Sequence, residues 1–325
     1  MSRSLSIVFA CALAATFSLS ALAQGWPAKP VKIIVTFTTG GAADLTARIL
    51  AEKPTDTWKQ PVIVENRGGG NGSVGVEAVQ RSPADGYTYL LLANTHVINV
   101  ALYPKLPFDL FQDFAPVLMT TAAPLLMAVH PRVKATNIAE ITQDLRARPG
   151  KVDIATCGVA TAHHFAMEIY KHATHTSAVH IPHRGCSPAV VDTVSGVVDI
   201  VMVSLPAGLP FVKQGKLRAI GITSKERSPS APDIPTFRES GMKELAQFDV
   251  ENYYGLLAPV GTPADILRKL ETDVRAALAA AEVKARLSGA GLDPYILGPE
   301  QMRMPMRADV EKFKEAIKVA HIKPE

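Results

Sequence analysis

From Val31 onward, short β-branched runs alternate with stretches of helical period, and turns rich in Gly, Ser and Thr separate them. That order leaves few folds open. Strand–helix–strand units build parallel sheets whose two faces are covered by helices. Residues 31–37 (VKIIVTF) read as a strand, and Gly40-Gly41 opens a helix that Pro54 is expected to end near Lys53. A second strand is expected at 62–64. The glycine-rich loop 66–72 then leads to a helix near 73–81, and a third strand lies at 87–92. Asn137-Ile-Ala-Glu140 is a variant of the capping box, and its helix stops at Pro149-Gly150. Strands follow near 152–156, 178–181, 198–203 and 217–222, with helices between them. One of these helices is expected to be capped by Ser187-Pro188 and ended by Ser195-Gly196. Thr262-Pro263 starts a long helix with Ile266, Leu270, Val274 and Leu278 on its buried face. The last helix aligns Val310, Phe313 and Ile317.

Two apolar stretches, 114–129 and 248–259, stand outside this alternation. Their spacing suits a chain that leaves one lobe, builds a second and returns. The expected division is residues 24–123 plus 249–325 for lobe 1 and 124–248 for lobe 2. The hinge falls near 117–125 and 248–256, and a cleft lies between the lobes.

The first 23 residues carry one charge, Arg3, then an apolar run to Leu22 and Ala21-Leu22-Ala23, an A-x-A cleavage site before Gln24. They are read as a cleavable signal peptide, which places the mature chain in the periplasm. No later run is long and apolar enough to span a bilayer. Nucleotide cofactors are scarce in that compartment, and no cofactor is expected. The formal net charge is only +4, with Lys and Arg scattered singly, so nucleic acid is not an expected partner. Three Cys are too few for a disulfide scaffold.

In parallel α/β sheets, ligands sit beyond the carboxyl ends of the strands, where helix starts offer unpaired N–H groups and a positive dipole end. The loops at those positions are 38–44, 94–96, 156–164, 183–187 and 204–206. They are rich in Gly, Thr, Ser and His and hold no pair of carboxylates. The candidate ligand-binding residues are Phe37, Thr38, Thr39, Gly40, Gly41 and Asp44, then Asn94 and Thr95. From the second half come Thr156, Cys157, Gly158, Thr161, His163, His164, His183, Arg184 and Ser204.

The sequence resembles the periplasmic solute receptors of tripartite tricarboxylate transporters, the Bug-type receptors. The resemblance rests on Trp26-Pro-Ala-Lys-Pro30, Gly40-Gly41 with Asp44, Gln60-Pro-Val-Ile-Val-Glu-Asn-Arg67 and Asp85-Gly-Tyr87. It continues through Leu102-Tyr-Pro-Lys-Leu-Pro107, His180-Ile-Pro182, Gly215-Lys-Leu-Arg218, Ile234-Pro-Thr236 and Gly255-Leu-Leu-Ala-Pro-Val-Gly-Thr-Pro263. It implies a two-lobed α/β fold of the periplasmic-binding-protein type (type II), each lobe a mainly parallel sheet flanked by helices. It also implies a monomeric receptor that performs no chemistry, closes on a small carboxylate and delivers it to membrane permease subunits. One ligand carboxylate would meet the backbone of residues 36–44, and the second lobe would add 156–164. Several positions depart from the family. Thr38 and Thr39 stand where two prolines are frequent, Ala42 or Ala43 where a hydroxyl is, His183 where an aromatic is, and Val203 where an acid is. These departures fall at the expected cleft and imply a different ligand.

Competing readings stay open beside this one. A receptor of the same fold could present its ligand to a membrane sensor kinase. An exported thiol hydrolase could use Cys157 next to His164. Cys157 and Cys186 lie at the mouths of neighbouring strands, where a disulfide is open to them. The six His between His163 and His183 leave a metal site open, without the spacing of known zinc motifs. Gly70-Asn-Gly-Ser-Val-Gly75 fits a dinucleotide fingerprint but lacks the acidic ribose partner about 20 residues on. Asp44 is read more readily as shaping its loop than as a general base.

Overall fold

The computed structural model describes residues 25–320 and Ile322, so the signal-peptide reading of residues 1–23 lies outside the described residues. Among those described, ten strands join in one sheet with the order β2-β1-β3-β9-β4-β7-β5-β6; β10 and β8 also pair with β4. The strands are β1 (Val31–Val35), β2 (Val62–Asn66), β3 (Thr88–Ala93), β4 (Phe114–Val129) and β5 (Asp153–Thr156). They continue as β6 (Val179–Pro182), β7 (Ile200–Ser204), β8 (Arg218–Ile222), β9 (Glu251–Pro259) and β10 (Asp293–Leu297). β1 runs parallel to β2 and β3, and β5 runs parallel to β6 and β7. The strands inserted between these two parallel sets are antiparallel. Residues 114–124 of β4 pair with β9, and residues 125–129 pair with β7 and β8. The 16-residue β4 therefore belongs to both halves of a two-lobed α/β molecule.

Each half is covered on both faces, and the strand alternation shows it. Val31, Ile33, Val35, Tyr89 and Leu91 enter one core, while Ile34, Leu90 and Leu92 enter the core on the opposite face. In the other half, Ile154, Ile200 and Met202 face one core and Ala155, Val201 and Val203 the other. Strands buried on both faces are expected to read as near-continuous apolar runs, as these do.

The helices are α1 (Ala42–Trp58), α2 (Ser73–Gln80), α3 (Asn94–Leu102), α4 (Ile138–Ala147), α5 (Ala162–Thr174), α6 (Cys186–Val194) and α7 (Leu205–Lys213). They continue as α8 (Ala264–Ala279), α9 (Ala281–Gly289) and α10 (Pro299–Ala320). Four differ from the sequence expectation. Helix α1 does not stop at Pro54; it runs through it, because Pro54 is buried in the core and Trp58 anchors the last turn by donating from Nε1 to Asp273 Oδ2 at 2.6 Å. Residues 94–96 are not a loop but the first turn of α3, which is buried on nearly every side and so carries no polar face. Ser187 does not cap α6; Gly185 does, and the Ser187 hydroxyl instead donates to the Thr39 carbonyl at 3.3 Å. Ser204 ends β7 and is itself the N-cap of α7, leaving no loop at 204–206. The α4 cap is as expected: Asn137 Oδ1 accepts from the Glu140 N–H at 2.9 Å.

Where the two halves meet, one side chain ties three segments. Thr223 Oγ1 accepts from the Leu125 N–H at 2.9 Å and donates to the Val250 carbonyl at 2.6 Å. The Thr223 N–H donates to Leu125 O, and the Val250 N–H to Thr223 O. Helix α10 spans the same junction, with Met302 and Met306 in a core of the first half and Phe313 edge-on to Phe165 in the second. Replacing Thr223 with Val keeps the shape but strips two buried backbone groups of their partner. The expected loss is about 1–3 kcal/mol, read as a lower urea midpoint with an unchanged slope.

Candidate functional site

Between the halves lies a cavity of about 40 Å³. Its wall is made of helix starts. Gly41, Ala42 and Ala43 come from the start of α1, Ala93 and Thr95 from α3, and Thr161 and His163 from α5. Gly185 and Cys186 come from α6 and Ser204 from α7. Phe37 and Thr38 on the loop after β1, Cys157 after β5, and Asn252 and Tyr254 on β9 complete it. No Lys, Arg, Asp or Glu lines this cavity. Gly41, Ala93, Gly185 and Ser204 offer their helices no side-chain cap. The first N–H groups of a helix lack intrahelical partners, so such starts favour an anion.

The loop after β1 is held from below. Gly40 turns with φ +83°, and its N–H donates to Asp44 Oδ2 at 3.1 Å. Arg48 Nε and the Asn66 amide donate to the same carboxylate, each at 3.0 Å. Asn66 also donates to the Phe37 carbonyl at 3.0 Å. Burial alone would raise the Asp44 carboxyl, but the hydrogen bonds from Arg48, Gly40 and Asn66 and the Arg48 charge outweigh it and hold it below the usual value. Asp44 therefore spends its oxygens on the loop and does not line the cavity.

His96 braces the same wall. The Ala93 N–H donates to its Nδ1 at 3.0 Å, which leaves the proton on Nε2 to donate to Thr36 Oγ1 at 2.8 Å. Burial pushes His96 down to about 4, so it is neutral near pH 7.

In the second half, the Thr161 hydroxyl donates to the Gly158 carbonyl at 2.7 Å and caps the His164 N–H. Thr156 Oγ1 lies 2.6 Å from His180 Nε2, and His164 stacks on His180 with ring centroids 4.2 Å apart. His164 Nδ1 accepts from the Ala160 N–H. These side chains shape the loop from behind. Thr161 also lines the cavity, and of the histidines here only His163 does. Burial pushes it down to about 3, and its Nε2 is 3.3 Å from the Asn252 amide nitrogen across the lobes. Its Nδ1 has no hydrogen-bond partner. Cys157 and Cys186 are joined in a disulfide that ties the loop after β5 to the start of α6. That removes the free thiol a Cys157 nucleophile needs, and it engages both sulfurs of the Cys157, His163 and Cys186 cluster.

Eight of the expected residues thus line the cavity: Phe37, Thr38, Gly41, Thr95, Cys157, Thr161, His163 and Ser204. Thr39, Gly40, Asp44, Asn94, Thr156 and His164 do not line it; Thr39 and Gly40 are exposed, and the other four are buried elsewhere. Gly158, His183 and Arg184 border an open groove outside it. His183 is held by Asp192 at 2.7 Å. Sequence reading missed Asn252 and Tyr254. Both are buried at alternate positions of an apolar strand, and the polar Asn252 was the available signal.

The family profile described as tripartite tricarboxylate transporter family receptor (TctC) matches residues 46–322. The protein BugT of Bordetella pertussis is 32% identical over 98% of this chain and 97% of its own. Among solved structures, an R. palustris protein solved with adipate is similar with a TM-score of 0.88 and 28% identity, covering 92% of this chain and all of its own (100%). MatC from Rhodopseudomonas palustris, solved with bound malate, is similar with a TM-score of 0.81 and 27% identity, covering 90% of this chain and 100% of its own.

Two outcomes follow for this site. Asp44→Asn puts an amide donor against three donors and is expected to cost about 1.5–3 kcal/mol at pH 7. Because the folded carboxyl titrates below 3.8, the wild-type advantage is whole above that pH and fades as pH falls further, which denaturation at pH 7 and pH 3 checks. Thiol titration of the unfolded, unreduced mature chain should find no free thiol, and two after reduction. Serine at both Cys should lower stability by about 3–4 kcal/mol for a loop closed over 29 residues.

Proposed function

The chain belongs to the tripartite tricarboxylate transporter receptor family, and from that premise we propose that it is a periplasmic solute receptor. It closes on a small organic acid and delivers it, chemically unchanged, to the membrane permease subunits of a tripartite transporter. It works as a monomer, with lobe 1 formed by residues 24–123 and 249–325 and lobe 2 by 124–248. They swing about 117–125 and 248–256.

One observation carries the reading: five helix starts, four of them without a side chain capping from the N-cap residue, border a cavity that holds no charged side chain. An acid placed there can take up N–H groups that the first turn of a helix leaves unpaired within the helix. A hydrogen bond to a charged group contributes about 1.5–3 kcal/mol net, and micromolar binding needs about 8 kcal/mol, so a few such bonds with apolar contacts suffice. The adipate and malate held by two similar structures are carboxylates of the size class such a cleft would take. His163 is neutral above about pH 4, so its charge plays no part in binding near neutrality. Closure is a pre-existing state that the ligand selects.

Gly185 gives the test. A Cβ on it would lie 2.2 Å from Thr38 Oγ1, across the lobes, so any larger residue, besides straining a backbone at φ +116°, must displace the Thr38 side chain. Gly185→Ala is expected to leave the protein folded but to weaken acid binding at least tenfold. It should also abolish the ligand-induced contraction seen by small-angle scattering. Adding Thr38→Ala removes the nearest clash and should restore part of both. Full affinity and contraction in Gly185→Ala would refute closure at this contact.

A further inference from the structure

Three metal-ligating side chains meet in the wall of the cavity. The sulfurs of Cys157 and Cys186 and a ring nitrogen of His163 all lie within 4.8 Å of one another, and all three residues are buried. They come from the loop after β5, the first residue of α6 and the first turn of α5. No sequence spacing joins them. The parallel pairing of β5 with β6 does, because it sets the ends of those strands side by side. In the oxidised chain the disulfide uses both sulfurs. Once it is reduced, the same three atoms make a donor set of two thiolates and one imidazole, which suits an ion of the zinc class.

The geometry agrees with such an ion. A tetrahedral zinc, with bonds of about 2.3 Å to sulfur and about 2.0 Å to nitrogen, sets those two atoms about 3.5 Å apart. Cys186 Sγ and His163 Nε2 already stand 3.7 Å apart. The histidine tautomer is the required one. The Asn252 amide donates to His163 Nε2 at 3.3 Å, so that nitrogen presents its lone pair and Nδ1 carries the proton. Two thiolates cancel the charge of a divalent ion, and no Asp, Glu, Lys or Arg lines the cavity to upset that balance. Three protein ligands leave one tetrahedral position, and the cavity of about 40 Å³ beside them has room for the water that fills it.

We propose that Cys157, Cys186 and His163 form a zinc site when the Cys157–Cys186 disulfide is reduced, with the fourth position open to the cavity. The site does not depend on the receptor reading. A protein dithiol of the exported thiol–disulfide exchange class supplies the two electrons. Cys157 borders the open groove as well as the cavity, so the attack comes from the groove. One thiolate of the partner attacks Cys157 Sγ, the S–S bond breaks, and its electron pair leaves on Cys186. The partner's second thiolate then attacks the partner sulfur joined to Cys157. Cys157 departs as a thiolate, and the partner leaves as a disulfide. Zinc binds the two thiolates, and the partner's two protons pass to solvent. A cleft wall without charge thus gains a cation only under reduction.

Cobalt(II), a spectroscopic stand-in for zinc, gives the test. Cys157 and Cys186 are the only Cys after residue 23, so sulfur–cobalt charge transfer in the mature chain reports this pair. After reduction by a phosphine, removed under nitrogen, one equivalent of Co²⁺ is expected to give near-ultraviolet charge-transfer bands and the intense visible bands of a tetrahedral ion. Zn²⁺ should displace it, and the oxidised chain should show neither set of bands. His163→Gln keeps both sulfurs and is expected to weaken Co²⁺ binding about tenfold or more and to shift the visible bands. Circular dichroism follows the fold throughout. Should reduction alone unfold the chain, one equivalent of Zn²⁺ is expected to restore the native spectrum. A reduced chain that binds no Co²⁺, folded or not, overturns the proposal. So does a cobalt spectrum and affinity unmoved by His163→Gln.

Discussion

Helix starts leave N–H groups that nothing in their own helix can pair. Here five such starts border one small space, and only part of that donor capacity is taken up by caps. The rest of the molecule follows from keeping them there. Parallel strands put the helix starts at one end of each sheet. The 16-residue β4, shared by both halves, sets those two ends opposite one another. The donors converge because β4, with α10 and the Thr223 hydrogen bonds beside it, carries the geometry from one half to the other.

The polar residues around the cavity divide into two kinds. Asp44, Asn66, His96, Thr156 and His180 bond to backbone or to each other and hold loops in place. Thr38, Thr95, Ser204, Asn252 and His163 line the cavity. Keeping the charged members in the first group matters. An Asp or Arg in the wall would either repel the acid or carry a desolvation cost when the cleft is empty. Asp44 avoids both by facing away from the space, toward Arg48 and Asn66.

Much of the fold was legible because its signals are local. Gly40-Gly41, Pro149-Gly150 and Ser195-Gly196 mark turns by backbone chemistry that holds in any context. Helix α3 was not legible, since NTHVINVAL is buried on nearly all sides and has no polar face to give it a period. Nor was the continuation of α1 past Pro54, where packing of Pro54 and Trp58 outweighs one missing backbone hydrogen bond. In the site, the loops after β1 and β5 could be named from topology alone. Asn252 and Tyr254 could not, because they reach the cavity from a strand far away in sequence whose apolar character reads as core.

The disulfide is the feature that most separates this site from a bare meeting of helix starts. It joins the loop after β5 to the first residue of α6, so two wall segments of lobe 2 move as one. On the same loops, the Gly185 N–H donates to the Cys157 carbonyl at 3.2 Å and the His183 N–H to the Thr156 carbonyl at 3.1 Å. Covalent and hydrogen-bonded ties together fix the lobe-2 half of the wall before any ligand arrives. The Asp44 and Asn66 network does the same for lobe 1. With each half preorganised, the proposed closure would order little beyond the approach of the lobes, and the ordering cost that usually erodes affinity would be confined to that one motion.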